Sequence, residues 1–257
     1  SFRAHAVDAY QVDNPHWERS RKLDVGLDFS LFNQVNVTLD YFHEKRDRIM
    51  MERTSWPTIA GYWNATPWGQ VGAATNEGFE ASINWARNFG QDWRLEMRFN
   101  MTYNQNRIDA YEEPAYPEPW RSRIGYPPDG YYQRGYIAEG LFTSQEDIDN
   151  HAVQQLGSTP MPGDVKYRDV NGDGVINDID KVQISKYGNL PRLQYGIGLS
   201  LGWKKWDLGL YFTGSGMRTI MISGITPFGE DACNVIEFID KNHWTEADPN
   251  PDAAYPR

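Results

Sequence analysis

The sequence predicts an all-β fold: antiparallel hairpins with long loops, forming part of a transmembrane β-barrel. Three observations predict it. Six runs alternate apolar and polar residues, at about 22–32, 35–44, 77–87, 92–104, 193–204 and 206–213. They join in pairs through tight connections at Asn33-Gln34, Asn88-Phe89-Gly90-Gln91 and Lys204-Lys205. Long polar stretches, about 45–76, 105–192 and 214–257, lie between the pairs. Ordinary domains keep most connections short. Outer-membrane barrels instead put short turns on the periplasmic side and longer loops outside.

The third and fourth runs connect through a Gly-bearing turn, and the fourth shows both faces plainly. One face reads Trp93, Leu95, Met97, Phe99, Met101, Tyr103, and the other Arg94, Glu96, Arg98, Asn100, Thr102, Asn104. The fifth run sets Tyr195, Ile197, Leu199, Leu201 and Trp203 against Gln194, Gly196, Gly198, Ser200, Gly202 and Lys204. Alternation alone also suits a soluble β-sandwich. The order along the apolar face goes further, with aromatics at both ends and mostly aliphatics between. At ~3.3 Å per residue, Trp93 to Tyr103 spans about 33 Å along the strand. Tilted by ~45°, that is about 23 Å of membrane, close to the ~25 Å band flanked by aromatic girdles.

Composition narrows the alternatives. The 257 residues carry a formal net charge of −10 and a mean hydropathy of −0.68. No run approaches the ~20 apolar residues of a membrane helix, so strands are the only spanning route. The low hydropathy is compatible with a barrel, since only alternate strand residues meet lipid. The acidic balance argues against nucleic acid as a partner. Cys233 is the sole cysteine, which excludes an intrachain disulfide and shows no catalytic partner. No signal peptide opens the sequence at Ser1-Phe2-Arg3.

One motif carries chemistry. From Asp169 to Asp180 the residues follow a calcium-loop spacing. Asp169, Asn171 and Asp173 supply oxygens at positions one, three and five, and Gly174 permits the sharp turn at six. Val175 offers its carbonyl at seven and Asp180 closes the loop at twelve. These residues are the expected ligands of one structural Ca²⁺. Aspartate in place of glutamate at position twelve shortens the reach and predicts modest affinity. The loop resembles that of dockerin modules, but it occurs once and is flanked by segments that read as short strands, 166–168 and 181–184. Without metal, the same residues make an Asx-rich turn.

Other constellations are weaker. The carboxylates between Asp109 and Glu118 sit among Pro114, Pro117 and Pro119, as in a solvated loop, so glycosidic acid–base catalysis is not expected. The five histidines show no metal-ligating spacing. Aromatics crowd the long stretches, and Trp63, Trp68 and Trp120 are the candidates for a loop-borne surface that binds sugar or peptide.

Several segments resemble the SusC/RagA family of TonB-dependent outer-membrane transporters. They are Asn14-Pro15-His16-Trp17-Glu18, Gly26 through Phe32, Asp40-Tyr41-Phe42, Asn76 through Glu80, Pro162 through Gly174, Trp244-Thr245-Glu246-Ala247 and Asp252 through Arg257. The resemblance covers essentially the whole chain. It implies an outer-membrane location and a large, plugged barrel that imports glycans or peptides with energy from TonB. It also implies a SusD-type surface lipoprotein as lid, contact with membrane lipid, and no enzymatic activity. It places the chain late in the barrel, apart from the plug and the TonB-contacting region, with further strands expected after Arg257. Six strands cannot close a barrel of ~22 strands. The alternatives from the residues alone are a soluble calcium-binding β-domain that binds carbohydrate, or a glycoside-active enzyme.

Overall fold

A computed structural model describes residues 10–12, 14–55, 59, 66–129, 134–221, 235 and 237–257. Trp63 and Cys233 lie outside the described residues. The chain divides into two compact units. The first comprises 1–115, 123–131 and 186–219, and the second 116–122, 132–185 and 220–257.

The first unit is a six-stranded antiparallel sheet. Its strands are β1 (Arg19–Leu31), β2 (Val35–Glu52), β3 (Trp68–Phe89), β4 (Trp93–Ala110), β11 (Leu193–Trp203) and β12 (Trp206–Gly216), in the spatial order β1-β2-β3-β4-β11-β12. The second unit holds short elements: β5 (Arg134–Gly135), β6 (Ala138–Leu141), α1 (Gln145–Asp149), β7 (Val153–Gln154), β8 (Val165–Tyr167), β9 (Val175–Ile176), β10 (Val182–Gln183) and α2 (Glu237–Asn242).

All six long strands fall on the alternating runs; β1 and β12 extend about three residues beyond them, and three others extend much further. β2 runs to Glu52, β3 starts at Trp68, and β4 continues to Ala110. The stretch expected as loop at 45–76 is therefore mostly strand, and only 53–67 connects β2 to β3. Beyond residue 44 the hydrophobic alternation stops, as Lys45-Arg46-Asp47-Arg48 put charge on both faces and Ile49-Met50-Met51 then put apolar residues on both, but the backbone ladder does not need alternation to continue. Two register shifts interrupt the β2–β3 ladder, one between Asp47 and Ile49, which leaves Arg48 at φ 61°, and one between Ile49 and Met50.

The tight turns are as expected, with small shifts. In the first, Gln34 N–H donates to the Leu31 carbonyl at 3.0 Å. Its central residues are thus Phe32 and Asn33, at φ 54° and 53°, one residue earlier than the sequence suggested. Two left-handed central residues suit the twist of a hairpin. The second turn spans 90–92, with Phe89 already paired to Trp93 and Gly90 at φ 65°. The third is Lys204-Lys205 between the paired Trp203 and Trp206. Register places all three turns at the same end of the sheet.

The second unit has its own small core. Phe142, Ile176, Ile239 and Trp244 are buried there. Phe142 meets His151 edge-on, with ring centroids 5.3 Å apart. β8 and β10 confirm the short strands expected around the Asp-rich loop. They pair with β6 and β5 respectively, not with each other.

Candidate functional site

The sheet has two faces of opposite chemistry, and register shows how each is organised. Apolar residues align across the strands. At the turn end, Phe89, Trp93, Trp203 and Trp206 form one cross-strand row. Trp93 and Trp203 stack with centroids 5.5 Å apart. At the other end, Tyr41, Phe79 and Tyr103 form a second row, with Tyr195 one step below it. Between the rows lie Leu27, Ile83, Met97, Ile197, Leu199, Leu210 and Phe212. Their side chains stay open to the surroundings: Leu27 is 57% exposed, Phe212 62% and Trp206 74%. A continuous apolar sheet face left bare between two aromatic rows fits hydrocarbon rather than water.

Beyond the Tyr41–Phe79–Tyr103 row the same face turns polar. His43 Nδ1 lies 3.3 Å from Glu77, and Arg107 lies 3.7 Å from Glu77 and 3.0 Å from Asp109. Arg19 pairs with Asp47 at 2.7 Å. Strand segments that carry ion pairs on the outward face have left the hydrocarbon layer.

The opposite face is largely polar, with Phe42 among its few apolar side chains. Thr38 donates to Asp28 at 2.6 Å and Ser30 to Asn36 at 2.6 Å. Glu44 gathers Arg46 at 2.9 Å and Lys22 at 3.8 Å. Near the turns, Glu96 sits between Arg94 and Arg98. Beside them β11 presents Gly198, Ser200 and Gly202, so an open cleft of about 290 Å³ forms between Arg94, Ser200 and Asp207. A second hollow, about 330 Å³, is lined by Glu44, Arg46, Asn76, Asn104 and Asn106. Such a surface offers many hydrogen bonds to water or a polar solute. Its charges fall partly into clusters, with Glu44 and Glu96 each set between two cations, and the Ser20 hydroxyl donates to Glu44 at 2.8 Å. Sequence alternation could find these residues one strand at a time, but only register assembles them into hollows.

The Asp-rich loop belongs to the second unit. Asp169 accepts from the Gly172 and Gly174 N–H groups at 2.7 and 2.8 Å. Asn171 accepts from the Asp173 N–H at 3.1 Å, and Asp173 accepts from the Val175 N–H at 2.8 Å and from the Asn171 amide at 2.9 Å. Gly174 holds the turn at φ 82°. Asp180 is 0% exposed and accepts from Val170 and Asn177 N–H groups at 3.0 and 2.8 Å. β7 and β9 pair in parallel, with Val153 N–H bonded to the Gly174 carbonyl and Gln155 N–H to that of Ile176. Strand alternation therefore turns the Val175 carbonyl away from β7. The expected ligands thus share one compact turn, closed on its own backbone. Among the described residues no group of three or more His, Cys, Asp or Glu side chains gathers as round a metal ion. Each carboxylate oxygen keeps a second lone pair.

Of the tryptophans, Trp68 opens β3, opposite Glu52, in the first unit. Trp120 lies in the second, where its indole N–H donates to the Ile179 carbonyl at 2.9 Å and so braces the Asp-rich loop. The second unit also has a cleft of about 520 Å³ between Tyr136, Gln154, Ser158, Thr159 and Tyr167. The two tyrosine rings lie 5.3 Å apart. Burial pushes the Tyr167 hydroxyl above its ordinary pKa.

Comparison with known proteins agrees with this geometry. The family described as TonB dependent receptor-like, beta-barrel matches residues 1–228. TonB-dependent receptor P3 of Formosa agariphila is 27% identical across 95% of this chain and 25% of its own length. TonB-dependent receptor SusC of Bacteroides thetaiotaomicron is 25% identical across 66% of this chain and 17% of its own length. The solved structure of the RagAB peptide transporter is similar in fold, with a TM-score of 0.63 and 18% identity over 94% of this chain and 26% of that one. The chain spans 25% or less of the length of these curated relatives.

Proposed function

Because the chain belongs to the TonB-dependent receptor β-barrel family of the outer membrane, we propose that it forms part of a transporter importing glycans or peptides, driven through TonB and covered by a SusD-type lipoprotein. The carrying observation is the two-faced sheet. One face is apolar between aromatic rows, the other is largely hydrogen-bonding, and the tight turns share one end. A soluble β-domain would need a second layer over Leu27, Ile197 and Phe212, which instead stand exposed.

Both substrate classes have support. The SusC/RagA resemblance of the sequence supports glycans or peptides, and likeness to a structure described as a peptide transporter supports peptides. Trp63, Trp68 and Trp120 are proposed as substrate contacts, Trp68 from the start of β3 rather than from a loop; in the second unit the cleft beside Tyr136 and Tyr167 is proposed as a separate contact surface. Calcium at the Asp-rich loop is proposed as a structural ion, supported by the order of its oxygen-bearing residues and by the direction of the Val175 carbonyl.

Deleting the gene and measuring uptake of labelled oligosaccharides and oligopeptides tests the import reading. Loss of uptake of one class, repeated on deleting TonB, is the expected result. Undiminished uptake of both classes would refute it. Co-purification of a surface lipoprotein with the tagged transporter tests the lid.

A further inference from the structure

The polar rows beyond the outward aromatic row contain one arrangement that the chain itself does not resolve. Arg21, Lys45, Thr75 and Arg107 form a single hydrogen-bonded row across β1 to β4, on the same face as Leu23, Tyr41 and Tyr103. Arg107 is neutralised by Glu77 and Asp109. In the next row Arg19 is neutralised by Asp47. Arg21 and Lys45 stand directly opposite each other, both exposed. Neither makes an ion pair or a side-chain hydrogen bond among the described residues, where every other cation of these two rows does; Asp47 attracts Arg21 and Asp109 attracts Lys45 only at longer range. Like charges directly opposite across a ladder are destabilising. The pair becomes favourable once a shared anion sits between the two side chains.

Height says which anion. Lys45 lies four residues beyond Tyr41, about 13 Å along the strand and about 9 Å along the membrane normal at ~45° tilt. Aromatic girdles mark the hydrocarbon boundary, and the headgroup layer adds ~5–8 Å on each side. The backbone at Arg21 and Lys45 therefore lies at the outer edge of the headgroup layer, and their long side chains reach back into it. The tight turns are at the far end of the sheet, so this is the outer leaflet.

We propose that Arg21 and Lys45 bind a phosphate group on a headgroup of an outer-leaflet lipid, anchoring the transporter's outer surface to it. The proposal rests on the outer-membrane reading above. Arg21 offers a planar fork to two phosphate oxygens and Lys45 a point charge on a flexible stem. Thr75 leaves the neighbouring place on β3 uncharged, since its hydroxyl is engaged by Asp109.

Native mass spectrometry of the intact transporter tests this. The protein is inserted in vesicles, released in lipid-retaining detergent, and offered a bis-phosphorylated glucosamine lipid or its dephosphorylated form. The wild type should retain the phosphorylated lipid about 30-fold more strongly than Arg21→Gln/Lys45→Gln, from the interfacial attraction of two basic residues. It should discriminate against the dephosphorylated lipid to a similar degree. Arg21→Lys should restore most of the retention, and Lys22→Gln, at the same height on the polar face, should change nothing. Equal retention by the wild type and the double variant, both inserted, would overturn the proposal alone. So would displacement by millimolar inorganic phosphate, which would assign the site to free phosphate. Failure of the wild type to insert would overturn the outer-membrane reading and this proposal with it.

Discussion

Replacing Ile197 by arginine in the intact protein should separate the two faces of the sheet quantitatively. Ile197 pairs with Phe99 on one side and Phe212 on the other, on the apolar face. It lies six residues from Trp203 in the turn-end row, about 20 Å along the strand and about 14 Å along the normal at ~45°. That is near the middle of a ~25 Å apolar band, where an outward arginine costs ~2–4 kcal/mol. The folded-to-unfolded ratio should fall roughly 30- to 900-fold, at one decade per ~1.4 kcal/mol. Asn100→Arg provides the control. Asn100 lies one residue from Phe99, at nearly the same depth, but on the polar face opposite Gly196 and Ser82. Its substitution should cost under ~1 kcal/mol, as for a polar surface site. Urea unfolding in lipid vesicles, followed by tryptophan fluorescence, reads both. If arginine were tolerated at 197 and costly at 100, the apolar face would not be the lipid face, and the barrel assignment would fall.

Other expectations follow from single contacts. Calorimetry on the intact protein should show calcium uptake with a dissociation constant of ~10⁻⁴–10⁻³ M, typical of extracellular loops; Asp169→Ala/Asp173→Ala should abolish it, and equal heat from the double variant would leave only the Asx turn. Gly78→Val should destabilise the sheet by about 1–3 kcal/mol, because the Phe42 ring and the Tyr103 carbonyl occupy the space a side chain needs, whereas Gly209→Ala, with nothing within 4 Å of the new methyl, should be nearly neutral. Lys166 Nζ, 2.7 Å from Asp147, holds that carboxyl below its ordinary range. A depressed folded-state pKa gives stability that is complete above the unfolded value, ~4, and fades as pH falls through the folded one. Amide protection factors around α1, with the slower intrinsic exchange at low pH divided out, should therefore fall on acidification, and Asp147→Asn should remove that dependence.

The loop between Asp169 and Asp180 shows how far local sequence reaches. Its residue order announced a tight turn rich in oxygen ligands, and that turn forms, because each interaction in it spans only a few residues. The spacing could not say that Asp180 would be wholly buried, with both oxygens on backbone N–H groups, nor that Trp120 would brace the loop from 59 residues away. Those contacts depend on how the short strands fold back on each other. Trp68 likewise read as a loop residue, because the chain around it has no apolar alternation, yet it opens a strand of 22 residues.

The sequence by itself determined which strands exist, their two faces and, within a residue, their tight turns, since period-two alternation and turn residues act within a few residues of backbone; it did not determine how far β2, β3 and β4 run beyond the alternation. What tertiary structure alone decided is alignment across strands. Pairing Trp203 with both Trp93 and Trp206, and Phe79 with both Tyr41 and Tyr103, turns scattered aromatics into two rows that mark the edges of a membrane. The same register sets Arg21 opposite Lys45, although 24 residues separate them in the sequence. Hydrogen bonds between distant strands fix that register, and a one-residue slip would send every side chain of a strand to the other face.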